Sequence, residues 1–110
     1  MPGPKMTIPT RLVVATLMED PTREMYGLEI CAASGLATGT IHPILARLEK
    51  AGWLVSRWET IDTSLEGRPR RRYYKLNPDA LAHVQAAVHR ADTKTPALAR
   101  LLPRPAGEPS

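Results

Sequence analysis

Residues 67–75 join cations to aromatic rings in one short run: Gly67, Arg68, Pro69, Arg70, Arg71, Arg72, Tyr73, Tyr74 and Lys75. Of the chain's fifteen Lys and Arg, five lie here and no acid does. The other ten face eleven Asp and Glu, so the net charge of +4 would be −1 without this stretch. The excess positive charge is concentrated in one place. Backbone phosphate is the partner such a patch suits, because each neutralised phosphate releases counterions. Gly67 permits a turn and Pro69 fixes the approach to a strand that begins cationic and ends aromatic. Arg68, Arg70 and Arg71 are the candidates for phosphate or minor-groove contact. The competing reading pairs some of them with Glu59 or Glu66. Arg72 shares parity with Tyr74, which suits stacking along a hairpin. Tyr73, Tyr74, Trp53 and Trp58 read as packing residues. Trp58 has the alternative of serving as a flat ligand platform in a dimer cleft.

A second group of polar residues falls at helical spacing. Over residues 38–51 the apolar stripe is Ile41, Ile44, Leu45 and Leu48. The opposite face carries Gly39, Pro43, Ala46, Arg47 and Lys50, flanked by Thr40 and His42. Thr38, Thr40, His42, Pro43, Arg47 and Lys50 are therefore candidate duplex contacts, with the first turns of the helix entering a major groove. The competing reading is a solvated face on which Arg47 and Lys50 pair with Glu49 or Glu29. Pro43 favours a helix that starts late, capped by Thr40, or one whose first turn is distorted.

The elements that must hold these groups follow from local pattern. Residues 1–8 form a flexible N-terminus, frayed over 1–7, and a helix spans about 9–19, apolar on more than one face. Asp20-Pro21 ends it. A short helix over about 25–34, with Tyr26, Ile30 and Ala33 on one face, stops at Ser34-Gly35, where Gly35 is a left-handed cap. The helix over 38–51 then completes a helix-turn-helix. Residues 53–59 and 70–76 read as two strands of a hairpin, with Leu54 and Trp58 on one face and Tyr74 and Leu76 on one face. Residues 60–69 form the loop between them. Asn77-Pro78 starts a last helix, to about residue 91, with Leu81, Val84, Val88 and Ala91 at helical spacing. Thr95-Pro96 opens a further short turn, and residues 92–110 form a Pro-rich, largely disordered tail. The predicted fold is mainly α with a small β-hairpin: a winged helix-turn-helix domain over 9–91, with an N-terminal helix and a C-terminal dimerisation helix.

At this length the chain supports one domain with a small core. There is no Phe and aromatic residues make up 5% of the chain, so aliphatic side chains must do most of the packing. A second copy would cover further apolar surface, and Leu12, Leu17, Leu81, Val84 and Val88 are the expected interface. The single cysteine, Cys31, excludes an internal disulfide and fits a reducing compartment. No signal peptide or membrane-spanning run is evident, which predicts a cytoplasmic, nucleoid-associated protein. His83 and His89 fall on different helix faces, so no metal site is expected. With no catalytic triad, paired carboxylates or phosphate-binding glycine loop, the chain is not expected to be an enzyme or to need a cofactor.

Three segments together resemble the PadR family of bacterial transcriptional regulators: residues 26–30 (Tyr-Gly-Leu-Glu-Ile), 39–54 from Gly39 to Leu54, and 67–76 from Gly67 to Leu76. The resemblance covers about 12–90. It implies a winged-helix domain, a homodimer built partly from the first and last helices, and repression through a palindromic operator in double-stranded DNA. It also implies a small-molecule effector in many members, although the sequence marks no residues that define an effector pocket. His42 stands where the family usually has Tyr, and the chain after residue 91 is shorter than in larger members. Two other uses of the same fold compete: a DNA-architectural or recombination accessory factor of a mobile element, and a protein-interaction module without DNA contact.

Overall fold

The computed structural model describes residues 3–94. The expected tail over 95–110, with its short turn at Thr95-Pro96, lies outside the described residues. Among these residues, five helices and three short strands follow in the order α1 (Ile8–Met18), β1 (Met25–Tyr26), α2 (Gly27–Ser34), α3 (Thr38–Lys50), β2 (Leu54–Trp58), α4 (Thr63–Glu66), β3 (Arg72–Leu76) and α5 (Leu81–Lys94). A 3₁₀ turn over Pro78–Ala80 leads into α5. Among the described residues, no helix is long and apolar enough to cross a membrane.

Local chemistry explains the boundaries. The Thr7 hydroxyl accepts the Thr10 N–H, and Pro9 sits in the first turn of α1 where its missing donor costs nothing. Gly35 adopts φ 78°, a left-handed cap that bonds back to the Cys31 carbonyl and reverses the chain between α2 and α3. The Asn77 side chain accepts the Asp79 N–H and donates to the Gly52 carbonyl, so one residue starts the last helical segment and ties it to the end of α3.

The three helices α1, α2 and α3 pack on one another, and the sheet closes the core from the side of β2 and β3. Strand order is β1-β3-β2, antiparallel throughout. Leu54 lies opposite Leu76, Ser56 opposite Tyr74 and Trp58 opposite Arg72, so these six side chains share one sheet face. That face is core at one end, where Leu54, Tyr74 and Leu76 are buried, and open at the other, where Trp58 is 59% exposed. The anticipated stripe of α3 is fully inward: Ile41, Ile44, Leu45 and Leu48 all lie in the core with Val13, Val14, Leu17 and Ile30.

Several expectations need correction. Residues 3–7 are not simply frayed: Gly3 lies against the Trp53 ring and Met6 packs on the core. Tyr26 belongs to β1 rather than to α2, and Ala33 is exposed. Helix α3 starts at Thr38 with Ala37 as its cap, so Pro43 is inside the helix after all. The carbonyl left without its donor is that of Gly39, which is exposed with open space around it, so water can serve it. The first turn is tightened, as the Ala37 carbonyl accepts both the Thr40 and Ile41 N–H groups. The loop after β2 contains α4, capped by the Asp62 carboxylate.

The expected interface residues also divide. Leu17 is 1% exposed and Val84 0%, because both fill the chain's own core. Leu81 and Val88 are half-buried against that core, and Leu12 is 41% exposed. Leu17→Ala should therefore cost about 2–5 kcal/mol in urea unfolding. The decrement should be the same at protein concentrations about tenfold apart, as for a side chain buried within its own chain.

Candidate nucleic-acid interface

Helix α3 presents Thr38, Thr40, His42, Pro43, Arg47 and Lys50 on its exposed side. No side chain caps its start at Ala37. The acids that could have neutralised its cations are engaged elsewhere. The Glu29 carboxylate accepts from Arg23 and from the Tyr26 N–H. The Glu49 carboxylate accepts from the Ser56 hydroxyl and from Arg72, both on the hairpin. Arg47 and Lys50 have no ion pair among the described residues.

The hairpin sorts its own arginines into two kinds. Arg68 donates to both oxygens of Glu59, at 2.6 and 3.1 Å. Glu59 also accepts the Arg71 N–H at 3.3 Å and the Tyr73 hydroxyl at 3.3 Å. The bidentate Arg68 guanidinium, helped by the Arg71 N–H and Tyr73, holds the Glu59 carboxyl down to about 2 despite partial desolvation. Arg68, expected to contact phosphate, is thus matched to an acid of its own loop. Arg72 is likewise structural: its guanidinium lies 5.3 Å from the Trp58 ring centroid and 6.0 Å from that of Tyr74, and donates to Ser56 and Glu49. Arg57 is paired with Glu24 at 2.6 and 3.0 Å, which lowers the Glu24 pKa.

What remains is Arg70, exposed and with no ion pair among the described residues, and Arg71, whose guanidinium lies 4.2 Å over the Tyr26 ring. The stack holds Arg71 in place without neutralising it.

These groups are brought together in part. A groove of about 450 Å³ runs between the start of α3 and the hairpin; Thr38 and His42 line one side, and Arg68, Arg70 and Arg71 the other. The approach of α2 to α3 is close at Gly27: a Cβ there would meet the His42 ring at 3.2 Å, so the exposed ring would have to give by a few tenths of an ångström. Arg47 and Lys50 line a separate hollow of about 560 Å³ at the other end of α3, beside Gly3, Trp53 and His83. Thr40 and Pro43 line neither. Reading along the chain missed Tyr26 and Leu28 as walls of the groove, and offered Trp58 only as an alternative ligand platform. Only the pairing of β1 with β3 and the turn of the hairpin bring them beside α3.

Residues 14–84 match the family model of the PadR-like transcriptional regulators. The chain belongs to this family. It is a transcriptional regulator built on the DNA-binding winged helix, and solved structures share the fold of the PadR-like chain. A PadR family regulator from Clostridium difficile superposes with TM-score 0.62 at 20% identity, covering 88% of this chain and 100% of that one. A PadR-like transcription factor from Bacteroides fragilis gives TM-score 0.63 at 17% identity over 86% and 90% of the two chains. BpsR of Bordetella bronchiseptica, described for regulation of its DNA binding by 6-hydroxynicotinic acid, gives TM-score 0.64 at 20% identity over 88% and 67%. No curated protein matches the chain.

The hub at Glu59 makes the wing of this PadR-like protein sensitive to acid. Its pKa falls from 4.5 to about 2 on folding, so its contribution is complete above pH 4.5 and is lost as pH drops towards 2. Glu59→Gln should lower the thermal midpoint near neutral pH, and the gap from the parent protein should close progressively through that window in an acid titration of stability.

Proposed function

We propose that the protein is a repressor that acts as a homodimer on a palindromic operator in double-stranded DNA. In this reading α3 enters the major groove and the hairpin rests on flanking phosphate. The observation that carries it is the distribution of acids. The arginines that hold the structure together, Arg57, Arg68 and Arg72, each have a carboxylate, whereas Arg47, Lys50 and Arg70 have no ion pair among the described residues. A face whose cations are left uncompensated, beside a helix with no side-chain cap, suits a polyanion.

Residue roles follow from position. Thr38, Thr40 and His42, on the first turns of α3, are the candidates for base edges and nearby phosphate, and His42 reaches less far than the tyrosine usual at this place. Pro43 shapes the helix face against the duplex. Arg47 reads a base or clamps phosphate; Lys50 and Arg70 hold phosphate, with Arg71 behind them. Arg68 acts indirectly by fixing the loop through Glu59. For the dimer, Ile8, Leu12 and Ala15 form an exposed stripe on α1 at helical spacing. Leu81 and Val88 extend the contact along α5, while Leu17 and Val84 support it from beneath. Such a protein would work in the cytoplasm on the nucleoid. A small-molecule effector belongs to the same proposal, by analogy with the control of BpsR.

Selection from a random duplex pool tests the reading. It should recover an inverted repeat whose half-sites lie about one helical turn apart. On that duplex, Arg70→Ala combined with Arg71→Ala should weaken binding to all sequences alike. It should also flatten the dependence of log K on log salt by about 0.9 for each phosphate no longer neutralised. An unaltered salt slope would remove the hairpin from the interface. Arg47→Ala and Thr40→Ala should instead change the ranking among operator variants, by about 1–3 kcal/mol at the base pair each residue reads. Uniform losses across the variants would assign both to phosphate.

A further inference from the structure

We propose that the hairpin docks reciprocally on the hairpin of a second copy of this chain, the turn that carries Leu65 and Glu66 of each copy seated in the other's groove between α3 and the hairpin. This contact is distinct from the α1 and α5 surface assigned to the homodimer above, and it would join such dimers into larger assemblies. It does not depend on DNA binding.

Charge is divided along the hairpin in a self-complementary way. Residues 59–66 hold Glu59, Asp62 and Glu66 and no base, whereas residues 67–75 hold five bases and no acid. Glu59 and Arg68 cancel, and Arg72 is taken by Glu49. That leaves Asp62 and Glu66 on the turn, and Arg70 and Arg71 lining the groove, all four without an ion pair among the described residues. Arg68 lies near Glu66 but is already matched to Glu59. No acid lines the groove among the described residues. Apolar surface is divided in the same way. Among the described residues, the three most exposed large apolar side chains are Leu65 at 85%, Leu28 at 65% and Trp58 at 59%. Leu28 and Trp58 line the groove, which holds about 450 Å³, and Leu65 does not. The turn is thus an apolar knob beside acids, and the groove is an apolar lining beside bases.

A second hairpin fits both halves. Phosphate does not suit the turn, because its acids repel a polyanion. Under a two-fold rotation each knob meets the other copy's groove, so every favourable contact is made twice. The knob is also formed in advance. The Asp62 carboxylate accepts the Ser64 and Leu65 N–H groups, and Gly67, at φ 67°, closes α4 by donating to the Thr63 carbonyl. A pre-ordered turn loses little freedom on docking. Exposed ion pairs add little each, so Leu65 anchors the contact and the acid–base pairs set its orientation. Thr38 and His42 line the same groove and, with Arg70, are proposed duplex contacts. Resting on that reading, a duplex and a second copy compete for the groove.

Sedimentation velocity of the full chain at low salt reads the contact, over about a hundredfold range of concentration. The parent protein should grow with concentration into a species of about double the mass of its smallest one, or more. Leu65→Asp, at an exposed position, should weaken that step about tenfold or more. Glu66→Arg and Arg70→Glu should each weaken it alone, because like charges then meet twice. Mixed in equal amounts, these two variants should recover the larger species, since each pair is again acid against base. Leu12→Asp, on the exposed face of α1, should leave the step in place, and circular dichroism melts check that every variant is folded. A parent that stays one species throughout, unchanged association in Leu65→Asp, no recovery in the mixture, or loss only in Leu12→Asp would overturn the hairpin contact. A short duplex should dissolve the larger species; one that kept its mass while carrying duplex would overturn the shared groove. A protein that associated through Leu65 but bound no duplex would sink the regulator reading and leave this contact standing.

Discussion

Arg72 sits where the hairpin meets α3, against the rings of Trp58 and Tyr74 and within hydrogen-bond reach of Glu49 and Ser56. It is the only arginine of the hairpin, among the described residues, that is ion-paired to α3. Its Coulomb attraction to Glu49 is modest, since both side chains are about one-third exposed and water screens the pair. Its importance is geometric. A planar cation flanked by rings has few alternative positions, and a bond from it to the last turns of α3 fixes the angle at which helix and hairpin approach a common surface. The groove lies between the two elements that this joint connects.

Charge is sorted around this joint. Acids at 24, 49 and 59 take the arginines that build the hairpin, and the cations that point away from it are left uncompensated. A net charge of +4 understates the result. Sites that would otherwise add diffuse positive charge have been neutralised locally, so what remains is directional. The same sorting explains why a run holding five basic residues delivers fewer free cations than its composition suggests.

Much of this is legible in the amino-acid sequence alone. The apolar stripe of α3, the left-handed glycine at position 35 and the parity of the two hairpin strands are local features, and local features survive folding. Three kinds of information are not local. Periodicity identifies Leu17 and Val84 as apolar but cannot say which surface covers them, and each lies inside the chain's own core. Pro43 argues for a late helix start, but Ile41, Ile44, Leu45 and Leu48 commit the segment to helix through burial, which outweighs one missing bond. Strand β1 is two residues long and has no signature of its own; it forms because β3 offers it a partner. The groove is invisible in the sequence for the same reason. Its walls come from residues 26–28, 38, 42, 58, 68–72 and 74, and only tertiary structure brings them together.

That small strand has a mechanical consequence. Met25 and Tyr26 pair with Tyr74 and Tyr73, and α2 follows without a linker, so the first half of the helix-turn-helix is hydrogen-bonded directly to the hairpin. The Tyr26 and Tyr73 rings add an edge-to-face contact at 5.7 Å. The helix-turn-helix and the hairpin are thereby braced against each other. On the proposed function, a mismatch in groove width or helical pitch would then fall to the nucleic acid, which would make stiffness of the base steps part of what is recognised, including at pairs that no side chain touches.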